Sequence, residues 1–194
     1  MGAQAVAEAA NFAKRKGVLI PECTGLDPAG PLFDGGPPII RLTKDDCGLV
    51  TVIHSAAELT QYGTGTLPLR LGTLYKSGHC DYWVNCGHFQ GIKCTDPKYG
   101  DYLKRESIAI IQQRTDCAHI RATLVYLAQL RGECKFRSVY CSNCGTESNQ
   151  VNLNLDSCHI DPRKGYSKLP PFHGCTNQMN ANFFLATSDR YPFC

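Results

Sequence analysis

Twelve cysteines fall within 194 residues, and this even count constrains the fold more than any other feature of the sequence. Reducing compartments keep thiols free, so such a count belongs to a chain stapled by disulfides in an oxidising compartment, or to one that binds metal. The chain is long enough for one domain with a real core. Its start does not match a secreted protein directly. Met1-Gly2-Ala3-Gln4-Ala5 lacks the basic residues that open a secretory leader, and the first basic cluster follows the apolar stretch instead of preceding it. Val6 stands where a myristoylation signal needs Ser or Thr. No apolar run approaches the length of a membrane span. A missing N-terminus would reconcile the cysteines with this start.

Charge excludes one class of partner. The net charge is +3, and the densest basic run is Lys14-Arg15-Lys16. A nucleic-acid surface gathers basic residues on one face or groove, whereas a short run closing a helix complements the helix dipole. No nucleic-acid partner is expected.

Periodicity places a helix first. Ala3, Val6, Ala7, Ala10 and Ala13 share a face, and Lys14 to Lys16 followed by Gly17 form a stop. Val18-Leu19-Ile20 predicts the start of a strand running toward Gly25-Leu26-Asp27-Pro28. Gly, Pro and Asp crowd residues 25–38, which read as loop. Leu49 to His54 and Asp81 to Val84 predict strands, with loop over 60–78. A helix follows in which Ile120, Leu124, Leu127 and Leu130 share a face, with Asp116 near its start and Gly132 past its end. Beyond Gly132 the sequence is polar and aperiodic apart from Asn182 to Ala186, a last candidate strand. This order predicts an α/β sheet with a disulfide-stapled, loop-rich tail.

Two residues point to chemistry. Asp27 follows an apolar strand, and in open α/β sheets catalytic groups gather at the carboxyl ends of strands. An Asp-Pro there is by itself more often a turn. His119 lies in the apolar helix, two residues after Cys117, where a lone histidine is usually a helix-end residue. Together they fit the last two members of a triad in the chain order nucleophile, acid, histidine. A competing reading is a zinc module built from Cys141, Cys144, Cys158, His159, His173 and Cys175, although the later spacings do not repeat the Cys-x-x-Cys pair.

Several segments in order resemble the pancreatic-lipase family of α/β-hydrolases. Gly25 to Phe33 resembles its acid-bearing segment. Arg41 to Asp46 with Val50 to His54 resembles the next loop and strand. Gly78-His79-Cys80-Asp81-Tyr82-Trp83-Val84-Asn85 resembles its Gly-His-x-Asp-aromatic motif. Cys94 and Cys117 resemble the pair bracketing the lid, and Cys117-Ala118-His119-Ile120-Arg121 resembles the catalytic-histidine segment. Phe183-Phe184-Leu185 and Tyr191-Pro192-Phe193-Cys194 resemble arthropod members that lack a C-terminal lipid-binding domain.

The resemblance implies the C-terminal part of an α/β-hydrolase fold, one lipase-type domain over 1–194 that is incomplete at its N-terminus, with a lid at 95–116. Ile108, Ile110 and Ile111 would give that lid an apolar face; a plain disulfide-closed loop is the other reading. Met1-Gly2-Ala3-Gln4 resembles the second half of the Gly-His-Ser-x-Gly-Ala motif. The nucleophilic serine would directly precede Met1, and Met1 would supply an oxyanion-hole N–H. Asp27 and His119 would complete the triad. The activity implied is a secreted, extracellular carboxylic ester hydrolase of lipase or phospholipase A1 type, acting on lipid esters at a lipid–water interface. This chain alone, lacking the serine, would be inactive. A non-catalytic lipid-binding or yolk-type storage protein is the alternative within the family. Disulfides Cys94–Cys117 and Cys134–Cys141 are implied, with Cys23, Cys47, Cys80 and Cys86 unassigned. No organic cofactor is implied. Asp46 matches a calcium ligand, but Thr43 stands where a second carboxylate is expected, which argues against calcium. His79 matches a structural position of the motif, not the catalytic histidine.

Overall fold

The structure, a computed structural model, describes residues 1–57, 60–62, 65–69, 71–85, 108–141, 166–168, 174–188 and 192–194. It opens with helix α1 (Gly2–Arg15), which buries Ala3, Ala7 and Ala10 as the spacing predicted. Lys14 and Arg15 occupy its last turn, where cations oppose the dipole. Gly17 ends it with a φ of +79°, a conformation glycine adopts without a Cβ clash.

The main sheet is mixed, with strand order β1-β2-β5-β8-β6-β7. Strands β1 (Glu22–Leu26), β2 (Leu49–His54), β5 (Cys80–Val84) and β8 (Ala181–Leu185) run parallel. Strands β6 (Arg137–Tyr140) and β7 (Tyr166–Lys168) add an antiparallel edge. A separate antiparallel pair joins β3 (Thr60–Tyr62) to β4 (Gly65–Leu69). A short 3-10 turn covers Pro38–Ile40. The architecture is α/β, as expected.

Alternation along each strand sorts the core into two layers. Val50 and Val52 cluster with Ala3, Ala7 and Ala10 of α1 and with Leu42 from the loop before β2. Ile53, Tyr82 and Val84 point the other way, toward Ala122, Val125 and Ala128 of helix α2 (Ile108–Leu130) and toward Phe183 and Leu185. Central strands β2 and β5 are thus buried on both faces, which explains why Leu49–His54 and Cys80–Val84 are nearly unbroken apolar runs.

The structure corrects several expectations. The first strand begins at Glu22, not Val18; Val18 and Leu19 are exposed. Pro21 has no N–H to give a ladder, and pairing starts just beyond it. Residues 60–78 contain β3 and β4 instead of loop alone. Helix α2 starts at Ile108, inside the span 95–116 assigned to a lid; residues 95–107 lie outside the described residues, as do the side chains of 108–116. The buried face of α2 is Ala118, Arg121, Ala122, Val125, Ala128 and Gln129, while Ile120 and Leu130 are exposed. The tail is more than stapled loop: β8 sits inside the sheet between β5 and β6.

Disulfides between described residues join Cys23 to Cys47, Cys80 to Cys175 and Cys134 to Cys194. The expected Cys134–Cys141 pair is not formed. These two residues flank the extended β6, so roughly 20 Å of strand separates them, whereas bonded cysteines need Cα atoms within about 7 Å. Cys194 instead brings its Cα to 5.7 Å from that of Cys134. Cys117 and Cys141 are also disulfide-bonded. Cys94 lies outside the described residues, as do Cys86, Cys144 and Cys158. With Cys141 and Cys175 oxidised, the zinc module loses two of the six candidate residues from which its four ligands would come, because zinc binds the thiolate.

Candidate active site

Asp27 directly follows β1, and its backbone turns out of the sheet with a φ of +43°. Aspartate tolerates this left-handed region better than most residues, at a cost of about 1 kcal/mol. The turn is held by its N–H, which donates to the Ile53 carbonyl at 2.7 Å. It aims the carboxylate away from the strand and into a fully polar setting. Oδ1 accepts from the Ser55 and Ala56 N–H groups at 2.8 and 3.0 Å. Oδ2 lies 2.6 Å from Nδ1 of His119, ninety-two residues later in the chain. An ionised carboxylate only accepts, so Nδ1–H is the donor, and in the neutral ring the lone pair is then on Nε2. Asp27 is buried, and these three charge-assisted bonds offset the loss of water around it.

His119 sits in α2, and its side chain remains 33% exposed while Asp27 is sealed beneath it. That contrast separates this pair from a second one of the same chemistry. His54 Nε2 lies 2.7 Å from Asp81 Oδ1, and both side chains are inaccessible. The His54 ring stacks on Trp83 with centroids 3.8 Å apart, and Asp81 also accepts from the Ser77 and Gly78 N–H groups. No substrate reaches His54. It ties β2 to β5, whereas His119 can meet a ligand.

The other residues singled out from the sequence fall around this pair or away from it. Met1 is the N-cap of α1. Gln4, one turn on, is buried; its Nε2 donates to Ala29 O at 2.7 Å, and its Oε1 accepts from Leu42 N–H at 2.7 Å. The start of α1 is thereby pinned to the loop just past Asp27. His79 is structural, as read: its Nδ1 accepts from Val50 N–H at 2.9 Å. Burial holds its pKa below the ordinary 6.5, with Lys44 acting in the same sense and Asp45 and Asp81 opposing.

Asp46 is held by neighbouring donors through both carboxylate oxygens. Its Oδ2 accepts from Thr43 N–H and lies 3.2 Å from Thr43 Oγ1, and Oδ1 accepts from Asn11 Nδ2 at 2.9 Å. Thr43 thus brings a donor where a second carboxylate would bring charge, and the loop closes on itself. Among the described residues no group of three His, Cys, Asp or Glu side chains is placed to hold a metal.

Sequence reading missed the groups that build the cradle: Ser55 and Ala56, whose amides hold Asp27, and Gly72, packed against its carboxylate. Backbone donors leave no side-chain signature, and a single glycine in a glycine-rich stretch carries none either.

The Lipase family model matches residues 1–193. The chain belongs to the lipase family. It is 34% identical over 177 residues to lipase member H of Mus musculus, covering 88% of this chain and 34% of that one. It is 32% identical over 142 residues to hepatic triacylglycerol lipase of Rattus norvegicus, covering 73% and 27%. Pancreatic lipase-related protein 2 of Bos taurus is 29% identical over 199 residues, covering 100% and 39%. This lipase chain therefore spans about a third of the length of the curated relatives it matches.

Proposed function

We propose that this chain carries the acid and the histidine of a carboxylic ester hydrolase acting on lipid esters. The observation that carries the reading is the 2.6 Å contact between buried Asp27 and accessible His119. It joins a carboxylate at the carboxyl end of a parallel strand to a histidine later in the chain, the order of acid and histidine in an α/β-hydrolase triad, and we extend the α/β assignment to that fold. Its retention also favours an enzyme over a storage protein.

In the proposed reaction a serine attacks the ester carbonyl. His119 Nε2 takes its proton and later returns it to the departing alcohol. Asp27 orients the ring through Nδ1–H and stabilises its charged form. The nucleophile of this proposal is a serine within reach of His119 Nε2, with backbone amides as oxyanion donors. We further propose that the protein is extracellular and works at a lipid–water interface, on neutral lipid or phospholipid. Its disulfides fit an oxidising compartment. No described helix is long and apolar enough to cross a membrane.

The test joins residues 1–194 behind a lipase N-terminal half ending in Gly-His-Ser and measures turnover of a short-chain p-nitrophenyl ester. Turnover is expected from the joined protein and not from residues 1–194 alone. Asp27→Asn should lower kcat by about 10⁴-fold, and His119→Ala or loss of the joined serine should cost at least as much. Equal turnover by residues 1–194 alone, or by His119→Ala, would refute the assignment.

A further inference from the structure

We propose that Ser55 is a positioning residue for the Asp27–His119 pair, setting both partners from one point. It lies one residue past β2 and is fully buried. Its N–H donates to Asp27 Oδ1 at 2.8 Å. Its hydroxyl donates to the Ala118 carbonyl at 2.6 Å and accepts from the Ala122 N–H at 3.2 Å. Ala118 immediately precedes His119. Ala118 and Ala122 are four apart, the spacing at which an α-helix joins C=O to N–H. The Ser55 hydroxyl is therefore clipped across the helical turn that carries His119, while its own amide holds the carboxylate that His119 must meet.

A buried hydroxyl is costly unless bonded, and alanine would fill the same space without that requirement. Among the described residues the hydroxyl's hydrogen bonds go to one turn of α2. The same bonds exclude the obvious alternative, that Ser55 is itself a nucleophile. It is inaccessible, and its proton is committed to Ala118 O. Sliding α2 along the sheet would break the hydroxyl contacts and the His119–Asp27 bond together. Without Ser55 the turn loses its directional tie to the end of β2 and is left to apolar packing, the His119–Asp27 bond and the Arg121 bond to Ser188 O.

The functional meaning of this role rests on the hydrolase reading, but its test does not. Proton–nitrogen NMR of the histidine-labelled full chain reads the His119 Nδ1–H signal, assigned by its loss in His119→Gln. Asp27→Asn should abolish the signal. Ser55→Ala should shift it and speed its exchange with water by about tenfold, as expected for the loss of one or two hydrogen bonds. Ser55→Thr, which keeps the hydroxyl, should restore it. Asn11→Ala, which removes a hydrogen bond to Asp46 instead, should leave the signal unmoved. If Ser55→Ala fails to fold, Ser55→Cys keeps the size, weakens the bonds and is read the same way. A wild-type His119 signal and exchange rate in the Ser55 variant would overturn the proposal, and so would an equal change in Asn11→Ala. If Asp27→Asn leaves the signal in place, the pairing itself fails and the proposal with it. If the NMR result holds but the joined protein shows no ester turnover, only the hydrolase reading is lost.

Discussion

Gly72 stands so close to the Asp27 carboxylate that an added Cβ would lie 2.6 Å from Oδ1 and 3.0 Å from the Ala56 carbonyl. Neither neighbour is free to move, since Oδ1 holds two amides and Ala56 O accepts from Gly72 N–H. Gly72→Ala is therefore expected to destabilise the fold by about 1–3 kcal/mol. It should also disturb the Asp27–His119 bond, measured by chemical denaturation and by the His119 signal in parallel. His79 predicts a pH dependence. Its pKa is lowered by burial, so the folded state binds the proton less readily than the unfolded chain. Its contribution to stability is complete above pH 6.5 and is lost as pH falls from there toward the lowered folded value. Protonating Nδ1 would also remove the acceptor of Val50 N–H. The melting temperature should fall between pH 7.5 and 5.5, and His79→Asn, which keeps an acceptor but does not titrate, should flatten that fall. An unchanged pH profile in the variant would show that other groups carry it.

Helix α2 shows how an apolar stripe can mislead. Ile120, Leu124, Leu127 and Leu130 share a face by spacing, yet Ile120 and Leu130 are exposed. The face against the sheet is built from small residues, Ala118, Ala122, Val125 and Ala128, which let the helix approach closely enough to put His119 beside Asp27. Arg121 lies on that face too, with its guanidinium 4.0 Å from the Phe193 ring centroid and donating to Ser188 O. Val125→Ala should cost about 2 kcal/mol, while Leu130→Ala should change stability by less than about 0.5 kcal/mol. Urea unfolding of the two variants decides between the faces, and the reverse order would reinstate the stripe. Strand β6 was hidden for a related reason: Arg137-Ser138-Val139-Tyr140 is an edge-side strand whose pattern is short and mixed, so only its partner β8 identifies it.

Across the molecule, the tail is structural. β8 pairs with β5 on one side and β6 on the other, so β5 and β6 are joined in one sheet only when residues near the C-terminus return to it. Two disulfides secure that return, Cys80–Cys175 at the start of β5 and Cys134–Cys194 below α2. The second closes a loop with a sequence separation of 60, for which chain entropy suggests about 4 kcal/mol of stabilisation. Replacing Cys134 and Cys194 together by alanine should lower stability by about 2–4 kcal/mol. Peptide mapping of the unreduced protein should recover a Cys134–Cys194 link; a Cys134–Cys141 link would contradict the fold.

What the sequence determined by itself was local or motif-borne. The α1 face, β2 and its bounds, β5, the oxidised cysteines and the roles offered to Asp27 and His119 are written in periodicity, composition and short ordered motifs. Those signals need only neighbours in the chain or residue types at fixed spacing. Tertiary structure decided which cysteines pair, which side of α2 faces the sheet, and where β8 enters. It also decided which of two His–Asp pairs meets solvent. Each of these depends on contacts between residues far apart in sequence, and the last depends on burial: His54 and His119 have the same side chain and a carboxylate partner, but the His54 side chain is inaccessible and stacked on Trp83 while that of His119 is 33% exposed.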